Sequence, residues 1–461
     1  MDPSDALGGS LTDAVVIVPG IMGSELIDEA GTVVWGLTPK VLASRFRLQG
    51  SRALAELRLA TGEREGGTRL RPGGLLRFPG ALPGLGGLEP YTTLLNRVRA
   101  ESADPRAVSE FAYDWRLPVE HNASLLADHC IQQLRAWRSI VRRLGLPADP
   151  AEVRVQVVAH SMGGLLARAA VTGHGLSEVV RRVITLGTPY FGSVKTARLL
   201  DRGEGAPKFI PRDAARLLAL TCPGVYDLLP RYRCVTDGAG LRHLTEADIG
   251  ELGGDKEMAR ESQVRWDRLG LTTPQPPTGA WFAVVGSAQP TLQEVTLAGG
   301  VATYRESLQG TDHYGDGTVY RQSAAPLGLT AMPLPQRHGT LAKSAEAIAV
   351  VVDKLHGADT PPPLGTGQIG ADIPDTATAD CPLVVTVTGE DLLPHRVVVT
   401  STNLETGRAT HWPPGRREGA TVVCRDGGLG PGLHRVEVKH GGWSAVSDLV
   451  LIVPPGDAAD D

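Results

Sequence analysis

Val153-Arg-Val-Gln-Val-Val-Ala-His-Ser161-Met-Gly-Gly164 alternates, then runs apolar, and breaks at a small-x-Ser-x-Gly turn immediately before the helical pattern Leu165-Leu-Ala-Arg-Ala-Ala170. A buried strand, a sharp turn and a helix form the context of a nucleophile elbow. A serine on such a turn presents its hydroxyl above the sheet, and only small residues at Ala159 and Gly163 let the flanking backbones pass. Ser161 is therefore the candidate nucleophile. A five-residue pattern of this kind recurs by chance, so its weight comes from what surrounds it.

Outward from the elbow, strand and helix patterns alternate from residue 14 to about 355, the signature of a mostly parallel sheet covered by helices. Expected strands are 14–18, 108–113, 153–159, 183–186, 281–286 and 330–333. Helices are expected over 123–144, with Leu125, Leu126, Ile131, Leu134 and Val141 apolar, and over 343–355. Two stretches break the alternation, at about 35–90 and 191–277. Structureless loops of that length are unusual unless they cover a site, so both are read as cap insertions in a domain spanning 1–357. A Pro- and Gly-rich linker over 358–377 follows. From 378 to 456 short β-branched runs separated by turns predict a small immunoglobulin-like β-sandwich. His395, His411, His434 and His440 within it read as surface residues.

A serine hydroxyl needs a histidine base and a carboxylate to orient that base, and on this topology they follow in the order Ser, Asp, His. Asp316, in Gly315-Asp-Gly-Thr-Val319, sits at a loop tip after the 281–286 strand; Asp312 is its neighbour and alternative. His338 follows the last strand and precedes the closing helix, where the base belongs. His313 is too near Asp316 in the chain, His356 lies beyond the helix, and His160 reads as a packing or polar-contact residue. The oxyanion hole requires two backbone amides. Met162, after the nucleophile, supplies one. Val15-Val-Ile-Val-Pro-Gly-Ile-Met-Gly-Ser24, a strand running into a glycine-containing turn, makes Ile21 the other donor, with Met22 second.

Composition narrows the class. With 46 basic and 51 acidic residues, a net charge of -5 and no long single-sign block, the chain lacks the footprint of a nucleic-acid binder. No apolar run approaches the roughly 20 residues that span a bilayer. The first residues lack the basic segment of a signal peptide, and five cysteines do not form an even framework, so the expected location is cytoplasmic with free thiols; Cys222 and Cys234 are the pair to consider under export.

The ordered motifs Val18-Pro-Gly-Ile-Met-Gly-Ser24, Tyr113-Asp-Trp-Arg116, Ala159-His-Ser-Met-Gly-Gly164, Thr185-Leu-Gly-Thr-Pro-Tyr-Phe-Gly-Ser193, Tyr226-Asp-Leu-Leu-Pro230, Gly315-Asp-Gly-Thr-Val319 and His338 resemble the lecithin:cholesterol acyltransferase family. Lysosomal phospholipase A2 and phospholipid:diacylglycerol acyltransferase are relatives within it. The resemblance implies an α/β-hydrolase, a Ser161-Asp316-His338 triad, Ile21 and Met162 as oxyanion donors, and acyl-ester chemistry on a lipid. Family members acting on secreted particles carry a disulfide-closed lid with cysteine before tryptophan; here the pair is Val34-Trp35, so that staple is missing. Asp114 and Arg116 read as a scaffold pair with Trp115 packed beneath the cap, and Tyr190 and Phe191 as candidates to line the acyl pocket. Leu75, Leu76, Phe78, Leu82, Leu85 and Leu88 suit either cap packing or peripheral membrane contact. The expectation is thus a serine lipase or phospholipase without metal or organic cofactor, with O-acyl transfer to a lipid alcohol as the rival chemistry. The non-enzymatic rival is a recognition or effector-scaffold protein, and the sandwich offers a surface for a protein partner.

Overall fold

The structure is a computed structural model that describes residues 10–36, 54–64, 67–76, 91–146, 148–205, 211–237, 240–271, 280–326, 328–358, 368–374 and 376–455. Its centre is a six-stranded sheet in the order Thr330–Leu334, Ala280–Gly286, Val180–Leu186, Val155–His160, Ala14–Val18, Val108–Glu110, with every neighbouring pair parallel. Strand Ala14–Val18 shows why this segment must be an inner strand of the sheet. Ala14, Val16 and Val18 point into one apolar layer, Val15 and Ile17 into the other, and all five are essentially inaccessible. Burying such a valine or isoleucine on either face contributes about 1.5–3 kcal/mol, so only a doubly covered strand suits the sequence.

Helix Val119–Leu144 covers one face. Its Leu126, Cys130, Leu134, Trp137 and Val141 recur at three- and four-residue steps and are buried, and it ends on Gly145, whose left-handed φ of 61° closes the helix. Leu125, expected in the apolar stripe, is exposed instead, because it falls one position off the row set by Leu126. On the opposite face lies Ala345–Leu355, whose N-cap Ser344 accepts the Ala347 amide at 3.2 Å.

Strand Arg71–Leu75, in the described part of the 35–90 stretch, joins Ser24–Ile27 and Val33–Trp35 ahead of it in a three-stranded sheet. Leu75 and Leu76 are buried, so they pack rather than face a membrane; Phe78, Leu82, Leu85 and Leu88 lie outside the described residues. The Arg116 guanidinium meets Asp114 through two hydrogen bonds, of 2.9 and 2.6 Å, and both side chains are buried. The same guanidinium donates to the Leu57 carbonyl, and Thr68 donates to Asp114, so this ion pair anchors the cap to the sheet. Trp115 packs edge-on against Trp35 at 5.6 Å. In the second cap region, helices Val194–Arg202, Arg212–Ala219, Glu246–Glu251 and Lys256–Arg268 accompany strands Arg233–Thr236 and Leu241–His243. Those strands join the Glu294–Ala298 and Val301–Arg305 hairpin in one sheet, which ties the insertion to the segment after the fifth core strand.

The C-terminal region is a β-sandwich. One sheet runs Gly370–Asp372, Val384–Thr388, Thr421–Arg425, Arg416–Glu418; the other runs Thr376–Thr378, Val446–Val453, Gly432–His440, Val397–Asn403, Ala409–His411. Val385, Val387 and Val422 of the first meet Val399, Val436, Val438 and Ile452 of the second in a shared core. Two of its strands, Gly370–Asp372 and Thr376–Thr378, begin within the stretch read as linker, because three-residue strands beside Pro374 leave no alternating pattern to detect. His395 and His411 are exposed, but His434 and His440 are buried, the former donating Nε2–H to the Gly430 carbonyl and the latter accepting the Leu393 amide. All five cysteines are unpaired thiols, and only Cys381 is exposed. Among the described residues no helix is long and apolar enough to cross a membrane.

Candidate active site

The strand Val155–His160 ends directly in Ser161, which has φ 54° and ψ -126°, a conformation that costs a side-chain-bearing residue about 1–3 kcal/mol. Helix Met162–Gly173 starts at the next residue. The turn is held by Ser161 N–H donating to the Leu186 carbonyl at 2.8 Å and by the absence of a side chain at Gly163, where a Cβ would strike the Pro19 carbonyl and Val18. The hydroxyl is thereby raised at the carboxyl end of the sheet, where the loops after the other strands converge.

Two of those loops bring Asp316 and His338 to it. His338 Nε2 lies 2.8 Å from Ser161 Oγ, and His338 Nδ1 lies 2.7 Å from Asp316 Oδ2. Oδ1 of Asp316 accepts the Thr318 and Val319 amides at 2.8 and 2.7 Å. Burial acts to raise the Asp316 pKa, but the facing His338, its hydrogen bond and those amides outweigh it and hold the carboxyl below its ordinary value. An ionised Asp316 accepts the Nδ1 proton, which leaves Nε2 as an acceptor for the serine hydroxyl. Asp312 is not part of this chain: it accepts from Gln293 and from the Tyr314 amide.

Three aromatic side chains fix the turn that carries Ile21. The Tyr113 hydroxyl donates to the Pro19 carbonyl at 3.0 Å, the Gly20 amide donates to the Tyr91 hydroxyl at 2.8 Å, and Trp35 Nε1 donates to the Met22 carbonyl at 2.9 Å. Met22 is thereby kept at φ 62°, and Gly20 passes so near the elbow that a Cβ there would sit 2.8 Å from Ser161 Cβ. The amides of Ile21 and Met162 have no acceptor among the described residues. Tyr91 also contacts His160 Nδ1 at 3.0 Å, while His160 Nε2 is 3.0 Å from the His338 carbonyl. Since the Tyr91 oxygen receives the Gly20 proton, its own proton goes to Nδ1, and Nε2–H donates to His338. Burial, then the neighbouring His338, pushes His160 down to about 3, so it stays neutral.

Tyr190 is buried, with its hydroxyl 3.0 Å from Thr185 Oγ1, and Phe191 is half-buried against the core. No group of three or more His, Cys, Asp or Glu side chains among the described residues converges as a metal site would. Tyr91 escaped the sequence reading altogether, since a lone tyrosine ahead of helix Thr92–Glu101 carries no pattern. Trp35 was singled out only for the cysteine missing before it.

A parallel central sheet flanked by helices, with a strand–Ser161–helix elbow at its carboxyl edge, defines an α/β-hydrolase. The family model for lecithin:cholesterol acyltransferase matches residues 89–243 of the 461. That match includes Ser161 and stops before Asp316 and His338. Among solved structures, a chain of the Tle4-Tli4 complex is similar at a TM-score of 0.50 and 16% identity, covering 75% of this chain and 99% of that one, which is a likeness of fold. The mature lipase BlEst2 of Bacillus licheniformis aligns at a TM-score of 0.35 and 15% identity, over 75% of this chain and 92% of that one. A comparison with curated proteins returned no match.

Proposed function

We propose that the protein is a serine lipase or phospholipase that cleaves acyl esters of lipids through an acyl-enzyme. Ser161 attacks the ester carbonyl as His338 Nε2 takes its proton; the tetrahedral oxyanion is stabilised by the Ile21 and Met162 amides. His338 then returns the proton to the leaving alcohol, Asp316 holding the imidazole in the required tautomer throughout. Water, activated by the same imidazole, releases the acid. Tyr190 and Phe191 belong to the wall beside the acyl chain in this reading. The observation that carries it is the unbroken hydrogen-bonded chain from Ser161 through His338 to Asp316 on a strained elbow. The lipid character of the ester rests on the family match over residues 89–243.

A fluorophosphonate should label Ser161 alone, and Ser161→Ala should lose both labelling and turnover, the latter by about 10³-fold or more. Ester hydrolysis retained by a folded, uncontaminated Ser161→Ala variant would sink the assignment. The family description favours a second reading, transfer of the acyl group to a lipid alcohol. Phospholipid vesicles doped with diacylglycerol decide between them: mainly free fatty acid is expected, and mainly acylated alcohol would replace the lipase by the acyltransferase.

A further inference from the structure

The loop that bears His338 rests directly on the C-terminal sandwich, and the loop that bears Asp316 is tied to it through Gln289. Gln289, 1% exposed, lies between them. Its backbone exchanges two 3.1 Å hydrogen bonds with Gly315, the residue before Asp316. Its side chain donates to the Pro335 carbonyl at 3.1 Å on the His338 loop and to the Ile369 carbonyl at 3.2 Å on the sandwich, while accepting the Ala371 amide at 3.1 Å. The two residues preceding His338 continue the contact. Gln336 donates to the Ala445 carbonyl at 2.8 Å, and Arg337 donates to the Ala371 and Ile373 carbonyls at 3.1 and 3.3 Å while pairing with Asp448 at 2.5 Å. Lys343, just before the closing helix, lies in the field of the same Asp448 and of Arg435. The His338 amide donates to the Asp316 carbonyl at 2.8 Å, so a shift of either loop moves both ends of the imidazole–carboxylate bond.

We propose that the sandwich is a positioning element of the catalytic centre, holding the Asp316 and His338 loops at the separation proton transfer requires through Gln289, Gln336 and Arg337. The proposal rests on the assignment of Ser161, His338 and Asp316 as catalytic. A displacement of about 1 Å at such a chain costs on the order of 10²-fold in rate, so loosening the contact acts on the chemical step rather than on binding.

The test uses the full-length protein and a short, soluble p-nitrophenyl ester. It compares wild type with Asp448→Ala, Arg337→Ala, their double variant and Arg337→Lys, with Glu437→Gln, on an exposed Lys439 pair, as the control. Asp448→Ala and Arg337→Ala should each lower kcat about 10- to 100-fold at near-constant KM and weaken the downfield proton resonance of the His338 to Asp316 bond. The double variant should fall no further than the worse single one. Folded Asp448→Ala with wild-type kcat and full fluorophosphonate labelling would overturn the proposal alone; failure of wild type to label at Ser161 would remove the catalytic assignment and the proposal with it. If Asp448→Ala unfolds at the assay temperature, Arg337→Lys decides, since it keeps the charge and loses the guanidinium's bonds to Ala371 and Ile373. A reduced kcat there supports the proposal and an unchanged one refutes it.

Discussion

The two halves of the site are built differently. Ser161 and its turn are fixed by neighbours in the primary structure and by the next strand, with the Leu186 carbonyl and the missing Cβ of Gly163 setting the geometry. Asp316 and His338 are loop residues from distant segments, and their spacing depends on Gln289, Arg337 and a separately packed sandwich. In the proposed mechanism, a nucleophile held by covalent connectivity tolerates loss of remote contacts, whereas an acid–base pair held by side chains does not. Variants should therefore divide by which half they strike.

The largest effect is expected from Asp316→Asn, which reverses the hydrogen-bond preference at His338 Nδ1 and presents the wrong tautomer to Ser161, lowering kcat about 10⁴-fold while the fold survives. Asp312→Asn should stay near wild type, since its carboxylate only braces Tyr314 and Gln293; the reverse ranking in steady-state kinetics would reassign the orienting acid. Next, on the nucleophile side, Tyr91→Phe strands the Gly20 amide and His160 Nδ1. It should cost about 1–3 kcal/mol in a denaturant titration and lower kcat through the Ile21 turn, with KM little changed. Unaltered stability would show that the hydroxyl is dispensable.

The smallest effect concerns pH. His160 is held down to about 3 in the folded protein, below its ordinary value near 6.5, so below pH 6.5 the unfolded chain binds a proton that the folded one refuses. Its contribution to stability is complete above pH 6.5 and erodes progressively as the pH falls from there toward 3. The melting temperature of His160→Asn should thus change less between pH 7 and pH 5 than that of wild type. An equal change in both would place the acid sensitivity elsewhere.

The core strands were legible because a strand covered on both faces is apolar wherever its side chains find no polar partner, as all of Ala14–Val18 is and as Val155–His160 is apart from the hydrogen-bonded Gln156 and His160. The expected ends differ from the observed ones by a few residues: Val153 and Arg154 precede the strand, and 111–113 follow one that stops at Glu110. Ser161 was legible for the same local reason, its turn being encoded in five consecutive residues. Asp316 and His338 were singled out by topological order, a weaker signal that says nothing of distance, and the structure brings them together. Gln289 and Arg337 left no trace, because a glutamine or arginine facing a second layer is written no differently from one facing solvent. The same holds for the short Gly370–Asp372 strand, whose partner lies across a turn and a proline.

His160 and His338 are two imidazoles with ring centres 5.1 Å apart, beside a hydroxyl whose proton, in the proposed mechanism, must go to only one of them. The chain running from the Gly20 amide through Tyr91 and His160 to the His338 carbonyl can be filled with protons in one direction only, because it begins at a group that only donates and ends at one that only accepts. His160 has no lone pair left to offer Ser161, whatever the thermal motion of the loop. In the proposed mechanism His160 is thereby a decoy base that is permanently occupied, and the serine proton has a single destination.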